Sequence, residues 1–329
     1  VDPNSQILRS DLTWAPADEI RAGDELLAFD ENVVERDRKF RAAIVLGVKK
    51  IALPRVRVYT TQGTVIVSAQ HPFLAERPAY SDRYWTQARK LKPGARIAYL
   101  TSPWETDTSW SGAYLAGFFD GEGWCTKMRV GFGQNRGPTL DYVQELLLNR
   151  GFHFNLTPAW KPGSKAIRPG KTQMRGDLSS MREALRFLGT IRPPRLLLKA
   201  RAVWEGRRTG GKGGVPVARV ITVEPLSIGE VIAIKTSTGT YISDGMFSHN
   251  SAVQTEFLLK FKQNPKIYPC LRLIVHDEIA SLVRKNMVDY AIEEKHKVMT
   301  APIPALDGLS FGAEVSVGPS LGELEVVRT

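Results

Sequence analysis

Over the first hundred residues apolar positions alternate with polar ones in short runs, at 24–29, 41–48, 56–60 and 64–69, with Gly, Pro and Asp between them. Alternation with a period of two, broken by turn residues, predicts β-strands, and their density predicts an all-β unit. At Trp110 the texture changes. An apolar run at 114–119, a stretch at 140–148 with apolar residues at helical spacing and another at 181–188 predict helices of a separate α/β unit. The Gly-rich stretch 209–214 closes that unit as a flexible connector. Runs at 215–223, 229–236 and 240–242 return to the strand pattern, so the simplest organisation is one β domain interrupted by an insertion. From Ser251 the pattern predicts a helix at 252–262, a hairpin around His276-Asp277, a helix at 288–298 and a last strand.

Composition adds limits. With 329 residues, 43% apolar and 24% charged, the chain can bury a core and is long enough for two or three domains, which excludes wholesale disorder. No apolar stretch approaches the ~20 residues that cross a bilayer, and no basic-then-apolar leader opens the sequence, so a soluble, unsecreted protein without membrane contact is expected. The two cysteines, Cys125 and Cys270, form no Cys-x-x-Cys or Cys/His cluster, which excludes a disulfide scaffold and a structural zinc site and points to reducing cytosol. The sequence opens at Val1 without Met, as expected of a processed, truncated or partial product. Charge is concentrated: of the net +11, residues 108–210 carry +10, from 17 Lys+Arg against 7 Asp+Glu. Such a segment is either a footprint for a polyanion, whose counterions it displaces, or a solvated basic surface.

Candidate chemistry clusters at the ends of the interrupted β unit. The string Gly245-Met246-Phe247-Ser248-His249-Asn250-Ser251 sets an Asn between a His and a hydroxyl. Asn can attack its own peptide carbonyl to form a succinimide, a neighbouring His can move the proton, and the Ser can hold an acyl group as an ester. In isolation the string reads as a surface turn. Upstream, Val65-Ile66-Val67-Ser68-Ala69-Gln70-His71-Pro72 puts a hydroxyl three residues before a His where a strand meets a turn, a place from which His71 can polarise a strained peptide.

In combination these residues resemble an intein, a self-splicing element of the Hint fold. The resemblance runs through 1–97 and 219–250: VDPNSQILRSDLTWAPADEIRAGDELLAFDE is similar to the N-terminal block, GTVIVSAQHPFL to the Thr-x-x-His block, WTQARKLKPGARI to the strand after it, and EVIAIKTSTGTYISDGMFSHN to the two C-terminal blocks. It implies that His71, with Ser68 in the Thr position, assists the first acyl shift, that His249 assists Asn250 cyclisation, that Ser251 accepts the acyl group, and that splicing needs no cofactor. Inteins normally open with Cys or Ser. Val1 matches their second residue, so this chain is expected at most to cleave after Asn250, and Ala233 stands where many inteins have Asp or Cys.

Within the insertion, Tyr114-Leu115-Ala116-Gly117-Phe118-Phe119-Asp120-Gly121-Glu122-Gly123 predicts an apolar helix with small residues for close helix packing, ending in two carboxylates suited to Mg²⁺. The string is similar to the LAGLIDADG motif of homing endonucleases. The resemblance implies that Glu122 is the metal-ligating catalytic acid with Asp120 beside it, that Gln134 lies near the scissile phosphate, and that Arg192 matches a basic active-site residue. One motif rather than two implies a homodimer on a near-palindromic site of double-stranded DNA, or an unpaired, decayed nuclease. Arg129, Arg136, Lys161, Lys165, Arg168, Lys171 and Arg175 are candidates for nucleic-acid contact.

After Asn250, the pattern strand, acidic turn, strand at 271–283 presents two carboxylates suited to metals at a phosphoryl-transfer site. The 79 residues from Ser251 resemble the C-terminal palm of a family A DNA polymerase, through SAVQTEFLLKF, LIVHDEI and AEVSVGPSLGEL. The resemblance implies roles for His276, Asp277 as Mg²⁺ ligand and Glu278 as its helper, with the upstream polymerase part as a missing partner. The expected fold is multidomain: an all-β Hint horseshoe (1–107 and 210–250) interrupted by an α+β LAGLIDADG domain (108–209), then an α+β polymerase palm fragment (251–329). The expected function is self-processing with an embedded, Mg²⁺-dependent homing endonuclease in a phage-type or bacterial polymerase of the host cytosol. A polymerase with an inert insertion, or a DNA-binding module with dead chemistry, are the alternatives.

Overall fold

In the computed structural model the described residues are 1–33, 37–77, 83–126, 129–159, 173–178, 180–210, 216–249, 261, 263–275, 278–301, 312–320 and 323–328, with backbone only for 273–275 and 278. The strands and helices in chain order are β1 (Gln6–Leu8), β2 (Trp14–Pro16), β3 (Glu25–Phe29), β4 (Phe40–Thr60), β5 (Gly63–Ser68), β6 (Pro72–Glu76), β7 (Arg83–Gln87), β8 (Arg96–Ala98), α1 (Trp110–Glu122), β9 (Gly123–Thr126), β10 (Arg129–Asn135), α2 (Pro138–Asn149), β11 (Phe154–Pro158), β12 (Gln173–Leu178), α3 (Met181–Ile191), α4 (Pro194–Leu197), α5 (Arg201–Trp204), β13 (Val217–Thr236), β14 (Thr240–Ser243), β15 (Met246–His249), β16 (Leu271–Val275), β17 (Glu278–Ser281), α6 (Val288–Thr300), β18 (Val315–Val317) and β19 (Glu325–Arg328).

An eleven-stranded sheet follows the order β2-β1-β14-β15-β6-β8-β13-β4-β3, with β5 on β4 and β7 on β6. It draws strands from both sides of the insertion, as the pattern predicts. One difference is instructive. The runs 41–48 and 56–60 belong to one strand, β4, and 217–223 and 229–236 to another, β13, and the two pair antiparallel from Thr60–Val220 to Val45–Thr236. Between the runs apolar alternation fades because both faces of the long ribbon meet solvent around 46–52, so the period that marks a half-buried strand is lost. Pro54 and Pro225 donate no ladder bond, and the register shifts near Leu226 absorb the irregularity.

In the inserted segment α1 starts at Ser109, whose hydroxyl accepts from the Gly112 amide, and α3 at Ser180, which accepts from Glu183. Helices pack on one face of a four-stranded sheet, β11-β12-β10-β9. The unit is less separate than its sequence suggests. Leu115, Phe119, Phe187 and Trp204 from the insertion join Leu12, Phe29, Phe40, Leu74 and Phe247 from the β domain in one buried cluster. The Trp104 indole donates to the Leu12 carbonyl at 3.1 Å, and both press on Gly189 in α3, where a Cβ would collide with them. The connector is pinned at its start by Gly210 N–H donating to Asp37 at 3.2 Å, and the rest of it, 211–215, lies outside the described residues.

Beyond residue 260, β16 and β17 form the expected antiparallel hairpin and α6 the expected helix. Phe261, Ile267, Ile279 and Ala291 bury against Leu53 and Val231 of the long ribbon. The helix expected at 252–262 falls outside the described residues, Phe261 excepted.

Candidate processing centre and inserted nucleic-acid interface

The Val1 amine is buried and donates to the Ile232 carbonyl of β13 at 3.0 Å, while Ile232 N–H donates to the Val1 carbonyl at 2.7 Å. One residue on, Asp2 N–H donates to Ile66 of β5 at 3.0 Å. The first residues are thus held between strands from both sides of the insertion. Desolvation lowers the amine pKa to about 5, against partial relief from Asp244 and Asp2.

His71 sits at the β5–β6 turn, its amide donating to the Ser68 carbonyl at 2.9 Å. Ser68 and His71 are both buried, and the imidazole lies edge-on to Phe73 (4.8 Å between centroids) and Tyr241 (6.5 Å). Its Nε2 is enclosed without a hydrogen-bond partner among the described residues. Burial pushes its pKa well below the ordinary value, and the Val1 ammonium and His249 push it the same way. A buried neutral imidazole with an unmet nitrogen is a group ready to exchange a proton with an incoming one.

His249 ends β15, which pairs with β6 through Ser248 and Phe73, so His249 stands one register step nearer the His71 turn. Its Nε2 lies 2.8 Å from Glu31 Oε1, and its ring meets Trp85 edge-on at 4.8 Å. Sequence reasoning passed over Glu31, a loop residue with no periodicity, 218 positions from its partner. Asp244 is a second such residue. Its carboxylate accepts from Gln6 N–H at 2.8 Å, and burial raises its pKa against that bond. Ala233, expected at a tuning position, lies in β13 opposite Lys49, next to Ile232. Asn250 and Ser251 lie outside the described residues.

The inserted acids are arranged differently. Asp120 Oδ1 accepts from the Arg195 amide at 3.0 Å, and the Arg195 guanidinium returns to the Asp120 carbonyl at 2.5 Å and the Gly123 carbonyl at 2.7 Å. The end of α1 and the start of α4 cap one another, so Asp120 is engaged in structure. Arg195, which no motif singles out, closes the arrangement. Glu122 is exposed. Among the described residues no three His, Cys, Asp or Glu groups come together to hold a metal ion, so Asp120 and Glu122 offer two carboxylates and any further oxygen ligands would come from elsewhere. Gln134 lies at the end of the sheet where α1 stops, two positions past the Phe132–Gly123 pair, and its carboxamide accepts from the Asn135 amide at 2.7 Å. Arg192, expected as a basic active-site residue, donates to the Asp11 carbonyl at 3.1 Å with the Asp11 carboxylate at 3.7 Å, and so joins the insertion to the β domain.

The sheet face opposite the helices carries Trp124, Arg129, Asn135, Gln173 and Arg175, because Val130, Phe132, Met174 and Leu178 take the alternate, buried positions. Arg129 and Arg136 are exposed, whereas Arg175 spans Asp177 at 2.8 Å and lies over the Trp124 ring at 4.9 Å. Lys161, Lys165, Arg168 and Lys171, and in the last segment His276 and Asp277, lie outside the described residues, as does the Glu278 side chain.

Residues 109–192 match the family model of the LAGLIDADG-like domain. That match covers the four-stranded sheet, α1 to α3 and both acids of the insertion, and ends before α4. No curated protein sequence matches the chain. Structural comparison finds similarity to a DnaB intein from Synechocystis sp. (TM-score 0.36, 10% identity, over 76% of this chain and 97% of that one). The gp41-1 intein gives a TM-score of 0.32 at 12% identity over 76% and 96%. A bacterial intein-like domain from Clostridium thermocellum gives 0.34 at 11% over 75% and 94%. Scores this low do not by themselves establish a shared fold. Among the described residues no helix is long and apolar enough to cross a membrane.

Proposed function

We propose that residues 1–250 are a self-processing element of the intein type. The observation that carries this reading is that motifs far apart in sequence arrive on neighbouring strands: His71, buried at the β5–β6 turn, His249 at the end of the strand paired with β6, and Val1-Asp2 held between β13 and β5. In the proposed reaction Asn250 Nδ2 attacks its own carbonyl carbon, the bond to the Ser251 nitrogen breaks, and the proton lost from Nδ2 ends on the departing amine, moved by His249. A succinimide and a free 251–329 segment result. With a Cys or Ser joined to Val1, the same centre serves the first acyl shift through His71, and Ser251 becomes the acceptor. The test is intact mass spectrometry of the chain carrying a Cys and a short flanking segment before Val1, beside Asn250→Ala. A ligated product lacking the segment through Asn250, absent from the variant, is the expected result. Unprocessed chain alone overturns the reading.

The LAGLIDADG-like domain is proposed to cut double-stranded DNA as a homodimer with Mg²⁺. The match over 109–192, the +10 balance and the exposed small-residue face of α1 at Ala113, Gly117 and Gly121 support this. The segment after Asn250 is proposed to be a family A polymerase fragment, with Asp277 as a Mg²⁺ ligand, on its motifs alone.

A further inference from the structure

Glu31 is the last residue of the N-terminal block, where nothing in the motif gives it a role, yet its carboxylate lies 2.8 Å from His249 Nε2. Both side chains are about a quarter exposed, so the pair is neither freely solvated nor sealed. We infer that Glu31 is the positioning residue of His249, fixing the imidazole as the Nε2–H tautomer so that Nδ1 is the basic nitrogen during cleavage after Asn250. This rests on the self-processing reading and deepens it.

The chemistry follows from the ionised carboxylate, which only accepts. It requires the facing ring nitrogen to carry the proton, and in the neutral ring the other nitrogen is then the base. A carboxylate holding a catalytic imidazole in one tautomer and stabilising its charged form is a recurrent device of proton-transfer sites. The surroundings indicate that the geometry is built. On one side of Glu31, the Phe29 amide donates to Thr240 Oγ1 at 3.1 Å, and Asp30 N–H donates to the Lys39 carbonyl at 2.9 Å. The Asp30 carboxylate is held by Arg41 at 2.7 Å and by the Lys39 amide at 2.9 Å. Glu31's own carbonyl accepts from buried Arg38 Nε at 3.0 Å. The Arg38 guanidinium lies over the Trp85 ring at 5.9 Å, and Trp85 in turn abuts His249. On the remaining side Gly239, at φ +75°, leaves room for the pair: a Cβ there would lie 3.2 Å from Glu31 Oε2 and 3.6 Å from His249 Nε2. Backbone, carboxylate, arginine and indole thus frame the Glu31–His249 hydrogen bond.

The test uses the full chain with its five histidines labelled with ¹⁵N, at a pH where the His249 ring is neutral. Long-range ¹H–¹⁵N spectra are expected to show His249 as the Nε2–H tautomer, with that preference lost in Glu31→Gln, whose amide can donate as well as accept. An unchanged His71 signal in the same spectra certifies the fold. Should Glu31→Gln not fold, Glu31→Asp, which keeps the charge and shortens the reach, takes its place with the same expectation. In parallel, release of 251–329 is expected to slow at least about tenfold in Glu31→Gln, out of the roughly 10²–10⁴-fold that acid–base assistance supplies. No further slowing is expected when Glu31→Gln is combined with His249→Ala. The same tautomer in parent and variant, or an Nδ1–H ring in the parent, overturns the inference. Absence of release in the parent overturns the processing reading instead, and the spectra still decide the role of Glu31.

Discussion

The two clusters of functional side chains differ in how far one chain completes them. Around His71 and His249 the β domain supplies everything described: enclosure, a charged partner in Glu31, aromatic walls and the buried Val1 amine. At the end of α1 the insertion supplies one acid bound up in capping Arg195 and one acid open to solvent. A centre meant to work on its own chain can be finished by folding, because its substrate is covalently present. A centre meant for another molecule is left open where that molecule, or a second copy, must come. On the proposed reading, this is the contrast between a reaction within one chain and a reaction on another molecule.

The largest expected effects test that contrast directly. Asn250→Ala should abolish release of 251–329 while leaving DNA binding intact, and Glu122→Gln should reduce Mg²⁺-dependent DNA cutting to background while leaving release intact. If cutting survives Glu122→Gln, the inserted acid is misassigned. Dilution sharpens the same point: cutting should fall with the square of protein concentration below the dimer range, whereas release should stay first order.

Next in size is the acid response of the closed centre. Burial holds the His71 imidazole well below its ordinary value, so as pH falls through the ordinary histidine range the unfolded chain binds a proton that the folded chain refuses. Stability is therefore expected to fall as pH drops from about 7 to about 5, and urea unfolding across that window reads it. His71→Gln should flatten the curve, and a curve already flat in the parent would mean that the imidazole is solvated.

Smaller effects probe the seam between the regions. Gly→Ala inside a helix ordinarily stabilises by up to about 1 kcal/mol, yet Gly189→Ala is expected to cost about 1–3 kcal/mol, since the new Cβ meets Trp104 and the Leu12 backbone. A stabilised variant would show that the two units pack loosely. Arg192→Ala removes a partly exposed contact with Asp11 and should lower stability by less than about 1 kcal/mol, measured by thermal unfolding, with cutting unchanged.

The interruption of a strand-rich unit by helices was legible because periods of 2 and 3.6 differ over a few residues, and His71 and His249 could be singled out as candidates because their motifs are local. Glu31 was not. Its role arises from contact across 218 positions, and a single acidic loop residue carries no pattern. The unity of β4 and of β13 was hidden because a ribbon wet on both faces loses the alternation that declares a strand. Asp120 illustrates the opposite failure: a motif names the residue, but the backbone amide that engages it belongs to Arg195, outside the motif.

The shared packing of Phe29, Phe40, Leu74 and Phe247 with Leu115, Phe187 and Trp204 sets the order in which such a molecule can decay. A lineage that no longer needs the inserted activity can lose exposed Glu122 by drift with no penalty to folding. It cannot discard the segment as readily, because excision would strip the cover from aromatic side chains beneath the strands that carry the junction. Glu122 is the part free to vanish, whereas Asp120, tied to the Arg195 amide, and the scaffold around it are retained as ballast.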